Sequence, residues 1–208
     1  IVMDYITGKF SPIVLIGMSR HNLLDEVANG QIEEDVLQQC NAKAYSARMN
    51  FNTKDSSVED VLLPKTPAVT QLLDKIDIVV KSINKHLVMG DEAWTHLVEP
   101  NQSTMFHTHQ DPGPPGLSFV YWVTVPEKSG DLIAIIQVDK YRHFHKIEPK
   151  AGDLVVFPTY LPHMTARNCS NKTRISISGN YYPPLDKLND VRKAPEKLLN
   201  YIGTIRGR

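Results

Sequence analysis

The stretch on which the interpretation of this sequence depends is Phe106-His107-Thr108-His109-Gln110-Asp111-Pro112-Gly113. Three side chains that can bind a metal ion, those of His107, His109 and Asp111, occupy alternate positions in it. Alternate side chains of an extended strand project to the same face, so all three would enter one pocket. The proline and glycine that follow are predicted to end the strand. A His-x-Asp pair also supplies two of the three ligands of the facial triad that holds non-haem Fe(II).

The composition is that of an ordinary globular chain of 208 residues, long enough for one domain with a single core. Lysine plus arginine number 23 and aspartate plus glutamate also number 23, so the formal charge is zero. A neutral chain gives no electrostatic reason to expect nucleic acid or a membrane surface as a partner. The two cysteines, Cys40 and Cys169, do not make a disulfide framework, and no apolar run is long enough for a signal peptide or a membrane span. We therefore expect a cytoplasmic protein.

Hydrophobic periodicity predicts helices in the first part of the chain and strands in the second. After a short strand at residues 12–17, apolar residues at helical spacing predict helices over residues 21–39, interrupted near Gly30, and over residues 67–87. Short β-type runs with proline and glycine turns between them follow at residues 93–98, 117–125, 132–138, 142–147, 154–157, 163–166 and 174–178. Such a series of short strands indicates a sandwich or barrel. A last amphipathic segment predicts a helix over residues 194–202.

Two residues further along the chain complete a candidate site. His163 opens a predicted strand and Arg174 comes eleven positions later, so we expect the two on neighbouring strands. Fe(II) bound by His109, Asp111 and His163 would keep three coordination positions open, two for a 2-oxo acid and one for O2. Arg174 would pair with the distal carboxylate of that co-substrate. Ser176, two positions on and on the same face of the strand, would add a hydroxyl.

These residues carry a resemblance to a known family. From about Trp94 to Tyr182, the chain resembles the prolyl-hydroxylase-type branch of the Fe(II)/2-oxoglutarate-dependent dioxygenases. The matching pieces are His109-Gln-Asp111, Val120-Tyr-Trp-Val, the run from Ile147 to Phe157, Pro162-His163 and Arg174-Ile-Ser-Ile-Ser. Their order and spacing are far more specific than any one piece alone.

The resemblance implies a mainly β fold with flanking α-helices, the double-stranded β-helix or cupin-like jelly roll. We expect a single domain over residues 1–208, with a helical N-terminal support region at 1–90, the catalytic core at 91–183 and a C-terminal helical segment at 184–208. The resemblance also implies His109, Asp111 and His163 as iron ligands and Arg174 as the 2-oxoglutarate anchor. A tyrosine often contacts 2-oxoglutarate in this branch, and Tyr121, beside Trp122, is its expected counterpart.

The implied activity is hydroxylation of a substrate with Fe(II), 2-oxoglutarate and O2, releasing succinate and CO2, with ascorbate as a supporting reductant. The substrate is expected to be a small molecule or a peptide, for example one presenting a prolyl or another amino-acid residue. His107 is a rival first ligand, because the family has branches in which a His-x-His precedes the same strands. We prefer His109 with Asp111 because a carboxylate balances the charge of Fe(II) and the distance to the next strand fits.

Two other interpretations of the same residues stay open. One is a non-catalytic jelly-roll protein that binds metal as a structural or sensory element. The other is a 2-oxoglutarate-independent cupin-type metalloenzyme that uses His107, His109 and His163. That second enzyme has no use for Arg174 as an anchor, so dependence on the co-substrate separates it from an oxygenase of the resembled family.

Overall fold

The structure of the protein is a computed structural model that describes residues 8–9, 15–16, 18–24, 26–41, 59–90, 93–109, 116–138 and 140–184. The helix predicted over residues 194–202 and the carboxylate predicted at Asp111 lie outside these residues. The elements of the described part are β1 (Gly8–Lys9), β2 (Leu15–Ile16), β3 (Ser19–Asn22), α1 (Glu26–Asn41), β4 (Glu59–Leu62), α2 (Pro67–Ile83), β5 (Val88–Met89), β6 (Trp94–Val98), β7 (Leu117–Thr124), β8 (Leu132–Val138), β9 (Tyr141–Ile147), β10 (Asp153–Pro158), β11 (His163–Thr165) and β12 (Arg174–Tyr182).

The strands from β3 onwards form two sheets. The large sheet has the strand order β3-β10-β7-β12-β6-β4, with β5 paired to β12, and the small sheet has the order β11-β8-β9. The pairs in both sheets are antiparallel. Trp122 and Phe157 of the large sheet share one apolar core with Leu132 and Ala134 of the small sheet, so the two sheets pack face to face. This arrangement confirms the predicted jelly roll.

Helices α1 and α2 pack on the other face of the large sheet. Helix α2 begins after Thr66, whose side-chain oxygen accepts a hydrogen bond from the Val69 N–H at 3.3 Å, and proline occupies the first turn. One stripe of α2 is buried in the helix-side core, and its members are Val69, Leu72, Ile76 and Val80. Neither α1 nor α2, the two helices of the described ranges, is long and apolar enough to cross a membrane.

The N-terminal region differs from its predicted form in and before α1. Helix α1 runs from Glu26 to Asn41 without the interruption predicted near Gly30. The helix expected from residue 21 begins at Glu26, because Ser19–Asn22 instead form β3 and pair with β10. Strand β4 joins the opposite edge of the same sheet. Residues 1–90 therefore supply edge strands to the large sheet as well as the two helices that cover it.

The alternation of side chains along β7 decides which residues face the interior between the sheets. Tyr121 lies in the helix-side core, whereas Trp122 lies in the core between the sheets. The Tyr121 hydroxyl donates a hydrogen bond to Oδ1 of Asn29 on α1 at 2.6 Å, and the Asn29 amide donates to the Val123 carbonyl. The expected contact of Tyr121 with 2-oxoglutarate is therefore wrong: the side chain on the interior face is that of Trp122.

His163 and Arg174 do not lie on neighbouring strands, as the short segment between them suggested. Strand β11 belongs to the small sheet and pairs with β8, whereas β12 pairs with β6 and β7 in the large sheet. The chain crosses from one sheet to the other between the two residues. His163 and Arg174 consequently approach the same interior space from opposite sheets.

The turn between β7 and β8 requires a glycine at residue 130. Gly130 has a φ of +89°, in the left-handed region that favours glycine. A Cβ atom at this position would lie 2.3 Å from the carbonyl oxygen of Ala166. Both the backbone conformation and the lack of space exclude a side chain here.

We expect Tyr121→Phe to lower the free energy of unfolding by about 1–3 kcal/mol, because the buried Oδ1 of Asn29 loses its donor. The binding of 2-oxoglutarate should stay at the wild-type level. Chemical denaturation and a co-substrate titration of the same variant check both statements. A large loss of co-substrate affinity with unchanged stability would contradict the placement of Tyr121 on the helix side.

Gly130→Ala should destabilise the protein by roughly 1–3 kcal/mol for the backbone conformation alone, with a further cost for the clash with Ala166. Gly30, on α1, is the matched control, because a Cβ atom there would meet nothing within 4 Å. Gly30→Ala is expected to stabilise the protein by about 0.5–1 kcal/mol, the usual gain in helix propensity. Equal effects of the two substitutions on the denaturation midpoint would refute this expectation.

Candidate metal centre

A cavity between the two sheets collects most of the residues singled out in the sequence; we call it the central cavity. Among the described residues it is lined by Trp94, His96, Thr104, His107, His109, Phe119, Val120, Trp122, Leu132, His163, Thr165, Arg174, Ser176, Ser178 and Gly179. Histidines cluster in it, and no aspartate or glutamate is among these lining residues. The part of the central cavity that the structure describes is therefore neutral to positive in charge.

Three of these histidines form a group that could hold a metal ion. The candidate ligand atoms of His107, His109 and His163 all lie within 4.8 Å of one another. The Nδ1 atom of His107 is 2.7 Å from the Met105 carbonyl oxygen, and Nδ1 of His163 is 2.9 Å from that of Leu161. A carbonyl only accepts, so each Nδ1 carries the hydrogen and each Nε2 presents the lone pair that a metal needs. Hydrogen bonds of this kind also fix the orientation of ligand imidazoles.

The backbone brings His107 to His163. The N–H group of each residue donates to the carbonyl of the other, at 3.0 Å in both directions. Thr104 extends this contact, since its N–H donates to the side-chain oxygen of Thr165 at 2.8 Å. The extended strand predicted for the His-x-His stretch is thus reduced to an isolated bridge at His107, and that bridge joins the stretch to β11.

The protonation of these histidines favours metal binding. Burial lowers the pKa of His109 to about 4, with smaller contributions from the neighbouring His107 and His96. Burial, and then the charge of His107, lowers the pKa of His163 to about 3, although the Leu161 carbonyl acts in the opposite direction. Both imidazoles are therefore neutral at physiological pH, the form that binds a metal.

Arg174 lies on the large-sheet side of the central cavity and is 1% exposed. Its Nη1 donates hydrogen bonds to the carbonyls of Ser129 at 3.0 Å and Gly130 at 2.8 Å. Its Nε is buried and has no hydrogen-bond partner among the described residues. Burial lowers the pKa of Arg174 to about 10, while the Asp131 carboxylate raises it, so the guanidinium stays charged at neutral pH. A buried charged donor without a partner is costly, and an acidic ligand would remove that cost.

The structure brings together most of the residues predicted for the site. His109, His163, Arg174 and Ser176 all line the central cavity. Asp111 lies outside the described residues, so its role as a ligand stays a prediction. His107, treated as a rival ligand from the sequence, belongs to the histidine group.

Several cavity residues were not assigned a role from the sequence. Trp94 and His96 are alternate residues of β6, so their side chains lie on the same face of the sheet, the one that lines the cavity. They pair with Ser178 and Ser176 of β12, respectively. The rings of Trp94 and His109 have centroids 6.0 Å apart. His96 Nε2 lies 2.9 Å from the Thr104 hydroxyl oxygen. The pairing of β6 with β12, which the sequence alone does not give, is the information that identifies these residues.

Comparisons with known proteins agree with this geometry. Residues 92–180 match the sequence model of the 2OG-Fe(II) oxygenase family. A comparison with curated proteins finds no match.

Solved structures share the fold at low sequence identity. A prolyl-4-hydroxylase from Pseudomonas putida has a TM-score of 0.63 and 19% identity, over 81% of this chain and 94% of that one. A prolyl hydroxylase from Trichoplax adhaerens, in complex with a hypoxia inducible factor peptide fragment, has a TM-score of 0.65 and 13% identity, over 80% of this chain and 83% of that one. The nogalamycin epimerase SnoN, in complex with Fe3+ and alpha ketoglutarate, has a TM-score of 0.59 and 14% identity, over 80% and 78%.

The sequence match covers the segment that contains all three histidines of the metal group and Arg174. The structural likeness covers about four fifths of the chain, which is more than the segment matched in sequence. Residues 92–180 are thus similar in sequence to the 2OG-Fe(II) oxygenase family, and the chain shares its fold with solved structures that include two prolyl hydroxylases.

Proposed function

We propose that the protein is an Fe(II)- and 2-oxoglutarate-dependent hydroxylase that acts on a peptide or small molecule and releases succinate and CO2. The observation that carries the proposal is the shared cavity of Arg174 and the three histidines. A metal group alone would suit many enzymes. A buried guanidinium whose Nε has no partner among the described residues, facing the same cavity, fits an enzyme that also binds a dicarboxylate.

The proposed iron ligands are His107, His109 and His163. Their ligand atoms are within 4.8 Å of one another, and the Nδ1 hydrogen bonds of His107 and His163 leave Nε2 as the ligand atom of each. Three neutral imidazoles leave the full charge of Fe(II) uncompensated. The carboxylate of 2-oxoglutarate that binds the metal would offset one unit of this charge, as the Asp111 carboxylate would have done in the ligand set preferred from the sequence.

Arg174 is the proposed anchor for the distal carboxylate. With Nη1 held by the Ser129 and Gly130 carbonyls, the Nε edge remains to donate to that carboxylate. Ser176 follows two residues later on the cavity face of β12, where its hydroxyl would donate to the same group. Iron with 2-oxoglutarate bound would supply the oxidative decarboxylation that yields succinate and CO2 and transfers one oxygen atom of O2 to a C–H bond.

The proposed substrate class follows from the central cavity and from proteins of the same fold. Trp94 and Trp122 give the cavity aromatic walls beside the histidines, which suits the partly apolar body of an amino-acid side chain or a small molecule. Two of the structures of similar fold are named as prolyl hydroxylases, and another as an epimerase. Hydroxylation is the proposal for this chain because it is the reaction of the branch whose fold the chain has.

A second candidate is a metalloenzyme of the same fold that does not use 2-oxoglutarate. The group of three histidines without a described carboxylate favours it, since three imidazoles alone can hold a catalytic metal ion. Arg174 disfavours it, because without 2-oxoglutarate its buried Nε has no hydrogen-bond partner in the described part of the chain.

The test of the proposed function is succinate release by the purified protein with Fe(II), 2-oxoglutarate, O2 and ascorbate. Slow succinate formation without a substrate, and faster formation with a peptide or small-molecule substrate, is the expected result. It should stop when Fe(II) is chelated or O2 is removed. Oxygen-dependent turnover of a substrate with no requirement for 2-oxoglutarate would instead establish the second candidate.

The ligand assignment makes a separate prediction. His107→Ala, His109→Ala and His163→Ala should each abolish Fe(II) binding and succinate release, because each removes one of three metal bonds. Asp111→Ala tests the ligand set preferred from the sequence, and under the proposed set it should bind Fe(II) as the wild type does. The measurement is an anaerobic metal titration, with circular dichroism to confirm folding. Iron binding that survives His107→Ala and fails in Asp111→Ala would restore the carboxylate set.

A further inference from the structure

The backbone of His109 is held on both sides by groups that are not metal ligands. Its N–H donates to the carbonyl of Thr159 at 2.9 Å. Its carbonyl accepts a hydrogen bond from the hydroxyl of Tyr182 at 3.0 Å. The residue has only two soft backbone dihedrals, so fixing the groups on both sides of its Cα fixes the direction of the Cα–Cβ bond.

Two glycines make room for the Tyr182 ring. A Cβ atom at Gly90 would lie 2.9 Å from Cδ2 of Tyr182, and one at Gly116 would lie 2.9 Å from Cδ1. The ring therefore passes between two backbone segments that approach it more closely than any side chain would allow. Its hydroxyl reaches the His109 carbonyl by this route.

Thr159 links the backbone of His109 to that of Gly116. Its N–H donates to the carbonyl of Gly116 at 3.1 Å, and its hydroxyl accepts from the Gly116 N–H at 3.0 Å. Thr159 is 1% exposed, so these hydrogen bonds are shielded from water. His109, Thr159, Gly116 and Tyr182 thus form a closed set of contacts around the main chain of His109.

We propose that Tyr182 is a positioning residue for the metal centre. Its hydroxyl holds the His109 carbonyl, and through it the imidazole, beside His107 and His163. The inference rests on the proposed function, in which His109 binds iron. It assigns a role to a tyrosine that does not line the central cavity, and it explains why two glycines flank that ring.

Tyr182→Phe is the direct test, because it keeps the ring and removes only the hydroxyl. We expect Co(II), used as a spectroscopic substitute for Fe(II), to bind about tenfold more weakly, at the low end of the loss seen when a group supporting a metal ligand is removed. Tyr181→Phe is the matched control: it is the adjacent residue of β12, and it lies in the helix-side core. Its Co(II) affinity should equal that of the wild type. Equal Co(II) affinity of Tyr182→Phe and wild type would overturn the proposal.

Gly90→Ala provides a second variant that leaves the hydroxyl in place and displaces the ring. It should weaken Co(II) binding in the wild-type background and have no further effect on Co(II) affinity in the Tyr182→Phe background, because both changes break the same contact. Strictly additive losses in the double variant would contradict an action through Tyr182.

Amide hydrogen exchange of the metal-free protein separates this proposal from the proposed function. Faster exchange of the His109 and Gly116 amides in Tyr182→Phe, with Tyr181→Phe unchanged, is the expected result. A wild-type protein that binds no Co(II) would contradict the proposed function. The exchange rates would still decide whether Tyr182 holds His109, and unchanged rates would refute it.

Discussion

The buried positive charge of Arg174 is the constraint on which the rest of the site depends. A guanidinium that is 1% exposed needs hydrogen-bond partners, because an unpaired charge in a protein interior is expensive. The turn after β7, in which Gly130 adopts a positive φ, provides two of them through the carbonyls of Ser129 and Gly130. The Nε donor has no partner within the ranges that the structure describes, and an acidic ligand would supply one.

The three histidines on the other side of the cavity also indicate an acidic ligand, because a metal ion bound to them would need a negative charge beside it. Burial keeps His109 and His163 neutral, so a divalent metal bound to them would keep its full charge. No carboxylate is among the described residues that line the central cavity. A dicarboxylate that binds the metal at one end and Arg174 at the other would place one negative charge beside each of these positive groups. The proposal of a 2-oxoglutarate-dependent enzyme rests on this complementarity together with the family match.

The sequence was sufficient for the fold class and for much of the site. The strands carry clear signals of period two or continuous apolar runs. The spacing from His109 to His163 and Arg174 led to the family whose sequence model matches residues 92–180. The site residues on regular strands, such as Arg174 and Ser176, share a face for the simple reason that they are two residues apart.

The errors of the sequence interpretation have physical causes. Both faces of β7 are buried, so its apolar pattern does not show whether Tyr121 or Trp122 faces the central cavity. The polar segment Ser19–Asn22 becomes a strand through its pairing with β10, a long-range contact that local propensity does not encode. The crossing of the chain between sheets, which separates His163 from Arg174, is likewise a property of topology. The same applies to the bridge that brings His107 to His163.

The most direct test of the central claim is a titration of 2-oxoglutarate into the anaerobic Fe(II)-loaded protein, followed by the metal-to-ligand charge-transfer band. The comparison is between Arg174→Ala and Arg167→Ala, the second being an exposed arginine that does not line the cavity. Losing one member of a buried charge pair costs about 2–5 kcal/mol, which corresponds to roughly 30- to several-thousand-fold in affinity. We predict a loss of this size for Arg174→Ala and wild-type affinity for Arg167→Ala. An unchanged affinity in Arg174→Ala would contradict the assignment of this cavity to 2-oxoglutarate.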